Sequence, residues 1–208
     1  MTNTMQQPTN IIYLASKSPR RRELLKQIGV QHDLLLLREL PPRLDIDESP
    51  RPDETPHAYV ERVVKLKADM AVKVMHERKL QPRPILTADT TVSFDGDILG
   101  KPVDRDDAVL MLKRLAGETH QVLTAVIVTT AEETYKCLNT SFVTFSTLSE
   151  DEIRLYVDTG EPMDKAGAYG VQGRAAKFIV NLSGSYSGVV GLPLFETAAL
   201  LRQAGIQI

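Results

Sequence analysis

Alternating and helix-spaced hydrophobic residues divide the chain into predicted strands and helices. In two neighbouring runs, Gln121 to Thr130 and Thr134 to Thr147, apolar and polar positions alternate, which predicts an antiparallel pair. Short apolar or β-branched runs are typical of buried strands. The chain has four of them: Ile11 to Ala15, Asp33 to Leu37, Ile85 to Phe94 and Lys177 to Leu182.

Helices are predicted between these strands, and their starts carry recognisable capping residues. Ser18 precedes Pro19, and proline suits the first position of a helix, which here ends at Gly29. Thr55 and Pro56 open a long helix with hydrophobic residues at helical spacing. Three more helices are predicted: one from Asp104 to Gly117, one opened by a capping box of Ser149 and Glu152, and one opened by Pro193.

The order of these elements predicts an α/β fold with a mixed β-sheet flanked by helices, because strands alternate with helices and are followed by a hairpin-like pair. The segment from Arg38 to Asp53 is rich in proline and acidic residues, so we expect a loop there. We expect residues 1–10 to be disordered or frayed and residues 11–208 to form a single domain. A chain of 208 residues can bury a sizeable core without disulfides.

Composition and charge exclude several classes of protein. The net charge of -2 argues against capture of nucleic acid by a basic face. A single cysteine, Cys137, cannot form an intrachain disulfide, and we expect it to be a small buried hydrophobe. The N-terminus lacks a signal-peptide pattern and no apolar run reaches the length of a membrane span, so the expected location is cytoplasmic with no membrane partner.

A basic turn follows the first predicted strand. Ser16 to Arg21 contains two serines and two arginines where the strand should give way to a helix. The first N–H groups of a helix are free to bind phosphate, and arginine grips phosphate through two parallel N–H bonds. The turn therefore predicts a phosphate site, with a solvated basic helix start as the alternative.

Acidic residues occur in two places that suit a metal or a catalytic base. Asp45 to Glu48 supplies three carboxylates within the predicted loop, where solvated surface acids are the alternative. Asp89 lies inside an apolar strand, and an unpaired carboxylate is costly to bury there. We expect Asp89 to hold a metal or to accept a proton from water. Lys101 follows within a Gly-Lys-Pro run and is placed to offset the carboxylate or a phosphate.

A glycine-rich run extends from Gly167 to Gly173 and contains Gln172. Closely spaced glycines let backbone approach a ligand, and the alternative is a flexible surface turn. The amide of Gln172 has both a donor and an acceptor, so it can pair with the N3–H and O4 groups of uracil or thymine.

Other catalytic patterns are missing. The sequence has no P-loop motif, and the residue at the centre of Gly184 to Gly188 is a tyrosine rather than a nucleophilic serine. The four histidines are scattered without the spacing of a zinc site, and His120 is expected to be a strand residue rather than a base.

Taken together, the motifs resemble the Maf family of nucleoside triphosphate pyrophosphatases. Their order and spacing cover the chain from about Ile11 to the last helix. The matching stretches are Leu14 to Leu25, Asp45 to Glu48, Ala88 to Val92, Gly100 to Pro102, His120 to Thr124 and Asp164 to Gly173. Thr87 stands where the family usually has glycine.

The resemblance implies an α/β fold shared with the inosine triphosphate pyrophosphatases, a divalent metal (Mg²⁺ or Mn²⁺) and a homodimer. By motif match, Asp89 takes the position of the general base and metal ligand, and Glu48 that of the acidic metal ligand. Ser16 matches the serine of the phosphate-binding turn. The positions that handle the phosphate tail fall on Arg20, Arg21, Lys67 and Lys101. The base-selecting positions fall on Arg20, Thr90 and Gln172.

The glycine-rich run is similar to that of the family branch that hydrolyses dTTP and UTP to the monophosphate and pyrophosphate. Two alternatives remain open: a pyrophosphatase acting on 7-methyl-GTP or on a range of nucleotides for editing, and a non-catalytic, nucleotide-binding regulator of cell division.

Overall fold

A computed structural model of the chain describes residues 10–37, 39–40, 43–44 and 46–208. The strands are β1 (Ile11–Leu14), β2 (Gln31–Leu34), β3 (Glu39–Leu40), β4 (Arg43–Leu44), β5 (Ile85–Phe94), β6 (Asp97–Leu99), β7 (Thr119–Thr129), β8 (Thr134–Phe145) and β9 (Ile179–Ser183). The helices are α1 (Pro19–Gln27), α2 (Pro56–Glu77), α3 (Arg105–Leu115), α4 (Glu150–Val157), α5 (Tyr186–Val190) and α6 (Leu194–Gln203). Short 3₁₀ turns cover Glu161–Asp164, Ala166–Ala168 and Arg174–Phe178.

The large sheet is mixed, which confirms the predicted α/β class. Its strands run in the order β2-β1-β5-β7-β8-β9, and β6 pairs with the end of β5. The strand β1 is parallel to both β2 and β5, whereas β5, β7, β8 and β9 are successively antiparallel. The pair predicted from alternation is the β7–β8 hairpin.

Helix starts follow the predicted capping chemistry. The hydroxyl of Ser18 accepts a hydrogen bond from the backbone N–H of Arg21, and Pro19 occupies the first turn of α1. Thr55 and Asp104 cap α2 and α3 in the same way. Ser149 forms the predicted capping box of α4. These side chains satisfy N–H groups that have no partner within the helix.

Helices cover both faces of the sheet, and this arrangement positions the site. On one face, α2 packs Val60 and Val63 against Leu123 of β7. On the other, α1 and α6 pack against Leu86 and Ala88 of β5. Successive side chains of a strand point to opposite faces. Asp89 therefore faces α2 and Thr90 faces α1.

Several predicted boundaries were wrong. The second strand begins at Gln31 rather than Asp33, and the loop predicted from Arg38 contains the short β3–β4 hairpin, whose two-residue strands are too brief to leave a periodic pattern. The last strand begins at Ile179, because the 3₁₀ turn before it takes up residues predicted as strand. Helix α5 and strand β6 were not predicted.

Some predictions fall outside the described residues. They concern residues 1–9 of the predicted frayed N-terminus and Asp45 of the acidic motif. The assignment of residues 11–208 to a single domain stays a prediction. Among the described helices, none is long and apolar enough to cross a lipid bilayer.

Candidate active site

A cleft with a volume of about 1040 Å³ brings the predicted site residues together. Its walls come from the turn before α1, the loop before α2, the middle of β5 and the glycine-rich run after α4. The predicted residues that line it are Ser16, Arg20, Arg21, Glu48, Lys67, Asp89, Thr90, Lys101 and Gln172. Segments far apart in sequence thus meet in one cleft of a size that suits a small-molecule ligand.

A lysine joins the two predicted acids in this cleft. The Nζ atom of Lys67, on α2, lies 2.6 Å from Oδ1 of Asp89 and 3.0 Å from Oε1 of Glu48. The side chains of Lys67 and Asp89 are only 15% and 10% exposed, whereas that of Glu48 is 45% exposed. Asp89 is therefore an almost buried carboxylate paired with a cation, and Glu48 extends the pair towards solvent.

The electrostatics of this triad keep Lys67 charged. Burial acts to lower the pKa of the Lys67 ammonium, but Asp89 and Glu48 outweigh it, so the pKa lies above its ordinary value. A cation is thus fixed beside Asp89 at neutral pH.

The loop that carries Glu48 is held against α2. Arg62 donates hydrogen bonds to the Glu54 carboxylate and to the backbone carbonyl of Ser49. The hydroxyl of Tyr59 donates to the backbone carbonyl of Glu48 at 3.0 Å. Burial raises the pKa of Tyr59 to about 12, so this hydroxyl keeps its proton. These contacts fix the backbone from which Glu48 reaches Lys67.

Arg21 is committed to protein atoms. Its guanidinium donates to the carbonyl of Gly191 at 2.7 Å, to Oγ of Ser16 at 3.3 Å and to Oγ1 of Thr90 at 3.1 Å. Burial lowers the pKa of Arg21, and the neighbouring Asp89 opposes that shift. Three segments of the cleft wall are therefore tied together by one side chain.

Arg20 and Lys101 lie at more open positions of the cleft. The side chain of Arg20 is 32% exposed and forms a long ion pair, 3.9 Å, with Asp164. Lys101 is exposed in the loop after β6. Exposed or weakly paired cations are available to an anionic ligand, whereas three of the five N–H donors of Arg21 are already engaged.

The glycine-rich wall depends on Glu161, which sequence reasoning missed. Its carboxylate accepts hydrogen bonds from the Tyr156 hydroxyl and from the backbone N–H of Arg174, each at 3.0 Å. A Cβ at Gly173 would overlap with this carboxylate, so a side chain there would have to displace Glu161 from its present position. No local pattern marks Glu161 in the sequence, because its partners are fixed by the fold.

Two carboxylates are available for a metal. Among the described residues, no group of three His, Cys, Asp or Glu side chains forms a ready-made metal site. Asp89 and Glu48 nevertheless face one common cation, the Lys67 ammonium. Mg²⁺ commonly takes one or two carboxylates, with water and substrate phosphates completing its shell. This donor set therefore fits a cation that is bound together with a polyphosphate.

His120 and Cys137 have no catalytic setting. His120 is 1% exposed, and its Nε2 lies 2.8 Å from the Tyr169 hydroxyl. Burial lowers the pKa of His120 to about 4, which agrees with the predicted packing role. Burial raises the pKa of the half-buried Cys137 thiol to about 11, so the reactive thiolate is scarce at neutral pH.

Relatives and one family model match almost the whole chain. Residues 11–204 match the family model described as Maf-like protein. A dTTP/UTP pyrophosphatase of Dechloromonas aromatica (strain RCB) is 53% identical over 197 residues, which is 94% of this chain and 98% of the relative. Another dTTP/UTP pyrophosphatase, from Cupriavidus metallidurans, is 56% identical over 198 residues, which is 95% of this chain and 98% of the relative.

The fold has a counterpart among solved structures. The Staphylococcus aureus Ham1 protein superposes with a TM-score of 0.52 at 16% sequence identity, covering 93% of this chain and 99% of that one. Identity this low shows a shared fold alone. With the family model spanning residues 11–204 and relatives above 50% identity, the chain belongs to the Maf family.

Proposed function

We propose that this protein hydrolyses dTTP and UTP between the α and β phosphates, releasing the nucleoside monophosphate and pyrophosphate. The observation that carries the proposal is the buried Asp89–Lys67 pair in a cleft that also contains Arg20 and Lys101. A carboxylate able to accept a proton thus lies among cations able to hold a polyphosphate. The relatives named dTTP/UTP pyrophosphatase support this substrate class.

In the proposed reaction, a water oxygen forms a bond to the α-phosphorus while the bond from that phosphorus to the bridging oxygen breaks. Asp89 accepts the proton of the water, and pyrophosphate carries away the electron pair of the broken bond. The hydrogen bond from Lys67 holds the Asp89 carboxylate in one orientation. Positioning of this kind is a large part of catalysis in phosphoryl transfer.

The phosphate tail is assigned to Arg20, Lys101 and the turn at Ser16. Positive charge placed where negative charge develops on the leaving pyrophosphate lowers the barrier. Arg21 and Lys67, expected from the resemblance to handle phosphate, act here chiefly by position. Arg21 holds Ser16 and Thr90 in place, and Lys67 holds Asp89 and Glu48.

A divalent cation, Mg²⁺ or Mn²⁺, would be held by Asp89 and Glu48. When bound, such a cation neutralises charge on the phosphates and polarises them towards attack. The two carboxylates would have to share their charge between the cation and the Lys67 ammonium. Glu48, the more exposed of the two, is the ligand free to adjust.

The nucleobase is assigned to the glycine-rich wall. Gln172 is exposed in the cleft, and its amide can donate to a carbonyl of uracil or thymine while accepting from the ring N3–H. A homodimer, implied by the family resemblance, and a cytoplasmic location, expected from the sequence, remain predictions.

The test is a panel of dTTP, UTP, CTP, 7-methyl-GTP and ITP, each supplied with Mg²⁺ and then with Mn²⁺. We expect dTTP and UTP to give the highest kcat/KM, with pyrophosphate rather than phosphate as the product. A maximum at 7-methyl-GTP or ITP would assign the protein to the alternative substrate class. Tight nucleotide binding without turnover under either metal would instead favour a regulator.

A further inference from the structure

A chain of hydrogen bonds runs through one wall of the cleft, on the face of β5 opposite Asp89. Nη2 of Arg21 donates to Oγ1 of Thr90 at 3.1 Å. Oγ1 of Thr90 lies 3.0 Å from Oγ1 of Thr124, its direct partner across the β5–β7 register. Oγ1 of Thr124 lies 2.8 Å from the backbone carbonyl oxygen of Gly188 in α5.

The two ends of this chain fix the direction of every bond in it. A carbonyl oxygen can only accept, so Thr124 must donate its single hydroxyl proton to Gly188. Thr124 then has no proton for Thr90, and the bond between the two threonines must run from Thr90 to Thr124. A guanidinium can only donate, so Thr90 accepts from Arg21.

Solvent cannot reverse the direction of these hydrogen bonds at Thr124, the inner end of the chain of bonds. Thr124 is 0% exposed, so no bulk water can replace Gly188 as its partner. Thr90 is half-buried and lines the cleft. A hydroxyl has one proton and two lone pairs. Thr90 has given its proton to Thr124 and one lone pair to Arg21, so a single acceptor site is left for a ligand.

An acceptor site of this kind discriminates between the two ends of a nucleotide. Ionised phosphate oxygens only accept hydrogen bonds, so they cannot pair with a lone pair of Thr90. The donors of a pyrimidine nucleotide shared by the dTTP and UTP series are the ring imide N3–H and the sugar 3′-hydroxyl.

We infer that Thr124 is a positioning residue: it fixes Thr90, which the family resemblance already places among the base-selecting positions, as a pure hydrogen-bond acceptor for a donor of the nucleoside. The inference deepens the proposed function and rests on it for the ligand class, a pyrimidine nucleotide. It also orients the ligand, because the nucleoside must lie along the α1 face of β5 while the cations of Arg20 and Lys101 take the phosphates.

Binding measurements on the full chain test this without any turnover. Titrations would use four probes: UMP, 3-methyl-UMP without the imide donor, 3′-deoxy-UMP without the sugar donor, and inorganic tripolyphosphate. In the wild type, the modified nucleotide that lacks the partner of Thr90 should bind roughly tenfold more weakly than UMP, because a half-buried acceptor loses its hydrogen bond. In Thr90→Val that difference should vanish, while the affinity for tripolyphosphate stays within about twofold of wild type.

Variants at Thr124 test the positioning role. Thr124→Val frees the hydroxyl proton of Thr90, which can then be donated to an acceptor. If the partner of Thr90 is the imide N3–H, the affinity for UMP should therefore fall relative to that for CMP. If the partner of Thr90 is the 3′-hydroxyl, the affinities for UMP and CMP should fall together, and the difference in affinity between UMP and 3′-deoxy-UMP should shrink. Thr124→Ser keeps the hydroxyl and should restore the wild-type pattern. If Thr124 had a merely structural role, Thr124→Val would lower the affinity for all four probes alike, and Thr124→Ser would not restore the affinities selectively.

The inference is overturned if Thr90→Val changes the relative affinity of neither modified nucleotide. It is also overturned if Thr90→Val lowers the affinity for tripolyphosphate as much as the affinity for UMP. Should Thr90→Val fail to fold, the Thr124→Val and Thr124→Ser pair decides alone. Failure of the proposed function looks different: the wild type would bind none of the pyrimidine nucleotides, or would bind UTP and leave it intact.

Discussion

At the scale of single residues, the ion pair between Lys67 and Asp89 determines most of the chemistry of the cleft. Asp89 comes from a strand and is almost buried, which is tolerable because a cation lies 2.6 Å away. Removing one partner of a buried ion pair leaves the other charge uncompensated. The same pair therefore supports both the stability of the protein and the geometry of its carboxylate.

We expect Lys67→Met to lower the free energy of unfolding by about 3 kcal/mol, because Asp89 is left buried without its cation. Urea unfolding measures the change. The double variant Lys67→Met, Asp89→Leu should recover most of the loss. The matched control is Lys65→Met on the same helix, whose exposed pair with Asp69 should contribute less than about 1 kcal/mol. Equal losses in the two single variants would contradict the buried-pair account.

Gln172 is the residue on which base selection is proposed to rest. Gln172→Glu removes the amide donor and adds a negative charge, so kcat/KM for UTP and dTTP should fall about tenfold through the loss of one hydrogen bond. The substrate panel measures the profile. Gln203→Glu, exposed at the end of α6 and away from the cleft, serves as the control. An unchanged profile in Gln172→Glu would remove this residue from base recognition.

At the scale of elements, the loop before α2 is attached to that helix by a charged clamp. Nε of Arg62 lies 2.5 Å from Oε1 of Glu54, and the side chain of Glu54 is only 8% exposed. The hydrogen bonds from Arg62 lower the pKa of Glu54 to about 2. Glu48 lies within the clamped loop, so a loose loop would also place this proposed metal ligand less precisely.

The clamp predicts a pH dependence of stability. The folded pKa of about 2 lies below the ordinary value of 4.5, so the clamp contributes fully above pH 4.5 and loses its contribution as the pH falls towards 2. Glu54→Gln should therefore be less stable than wild type at pH 7, and the difference should shrink between pH 4.5 and 3. Thermal unfolding midpoints measure this. Glu77→Gln, which removes an exposed pair with Lys73 at 3.8 Å, should show no such convergence.

At the scale of the whole molecule, the core beneath the glycine-rich wall contains an uncharged histidine. The ring of His120 makes edge contacts with Phe145 and Tyr169, and its Nδ1 has no hydrogen-bond partner among the described residues. Protonation would place a charge in this aromatic cluster. The cluster joins β7, β8 and the wall that carries Gln172, so a charge there would disturb the packing of all three.

We therefore expect the free energy of unfolding to fall as the pH drops through a range set by the pKa of His120. Its folded pKa of about 4 is below the ordinary 6.5, so the unfolded chain takes up the proton first and stability falls as the pH drops from 6.5 towards 4. The full loss amounts to about 3 kcal/mol. His120→Phe should flatten the slope of unfolding free energy against pH in this window. His57→Gln, at an exposed position on α2, should leave the slope as it is in the wild type.

Local chemistry made much of the fold predictable, and long-range contacts account for what was missed. Ser18, Thr55 and Ser149 cap helices through neighbours three residues away, so the sequence alone identifies those helix starts. The 3₁₀ turns and the short strand β6 leave no periodic pattern. Arg21 donates to the carbonyl of Gly191, a residue 170 positions away, and only the folded chain reveals this contact.

The residues of the candidate site likewise fall into those that the sequence identifies and those that only the folded chain reveals. Asp89 could be singled out because a carboxylate inside an apolar strand needs a reason to be there. Its partner Lys67 carries no comparable signal on a helix with other lysines, and it was identified only by resemblance to the family. Glu161 was missed altogether, since its carboxylate acts through contacts made in the folded chain.

The most direct test compares pyrophosphate release from dTTP by wild type and Asp89→Asn, with Mg²⁺ or Mn²⁺ present. Asparagine keeps the size of the side chain but cannot accept the proton of the attacking water. We expect release to fall by at least about a hundredfold, the usual contribution of a general base, while far-UV circular dichroism stays that of the wild type. Turnover by Asp89→Asn at the wild-type rate would contradict the account.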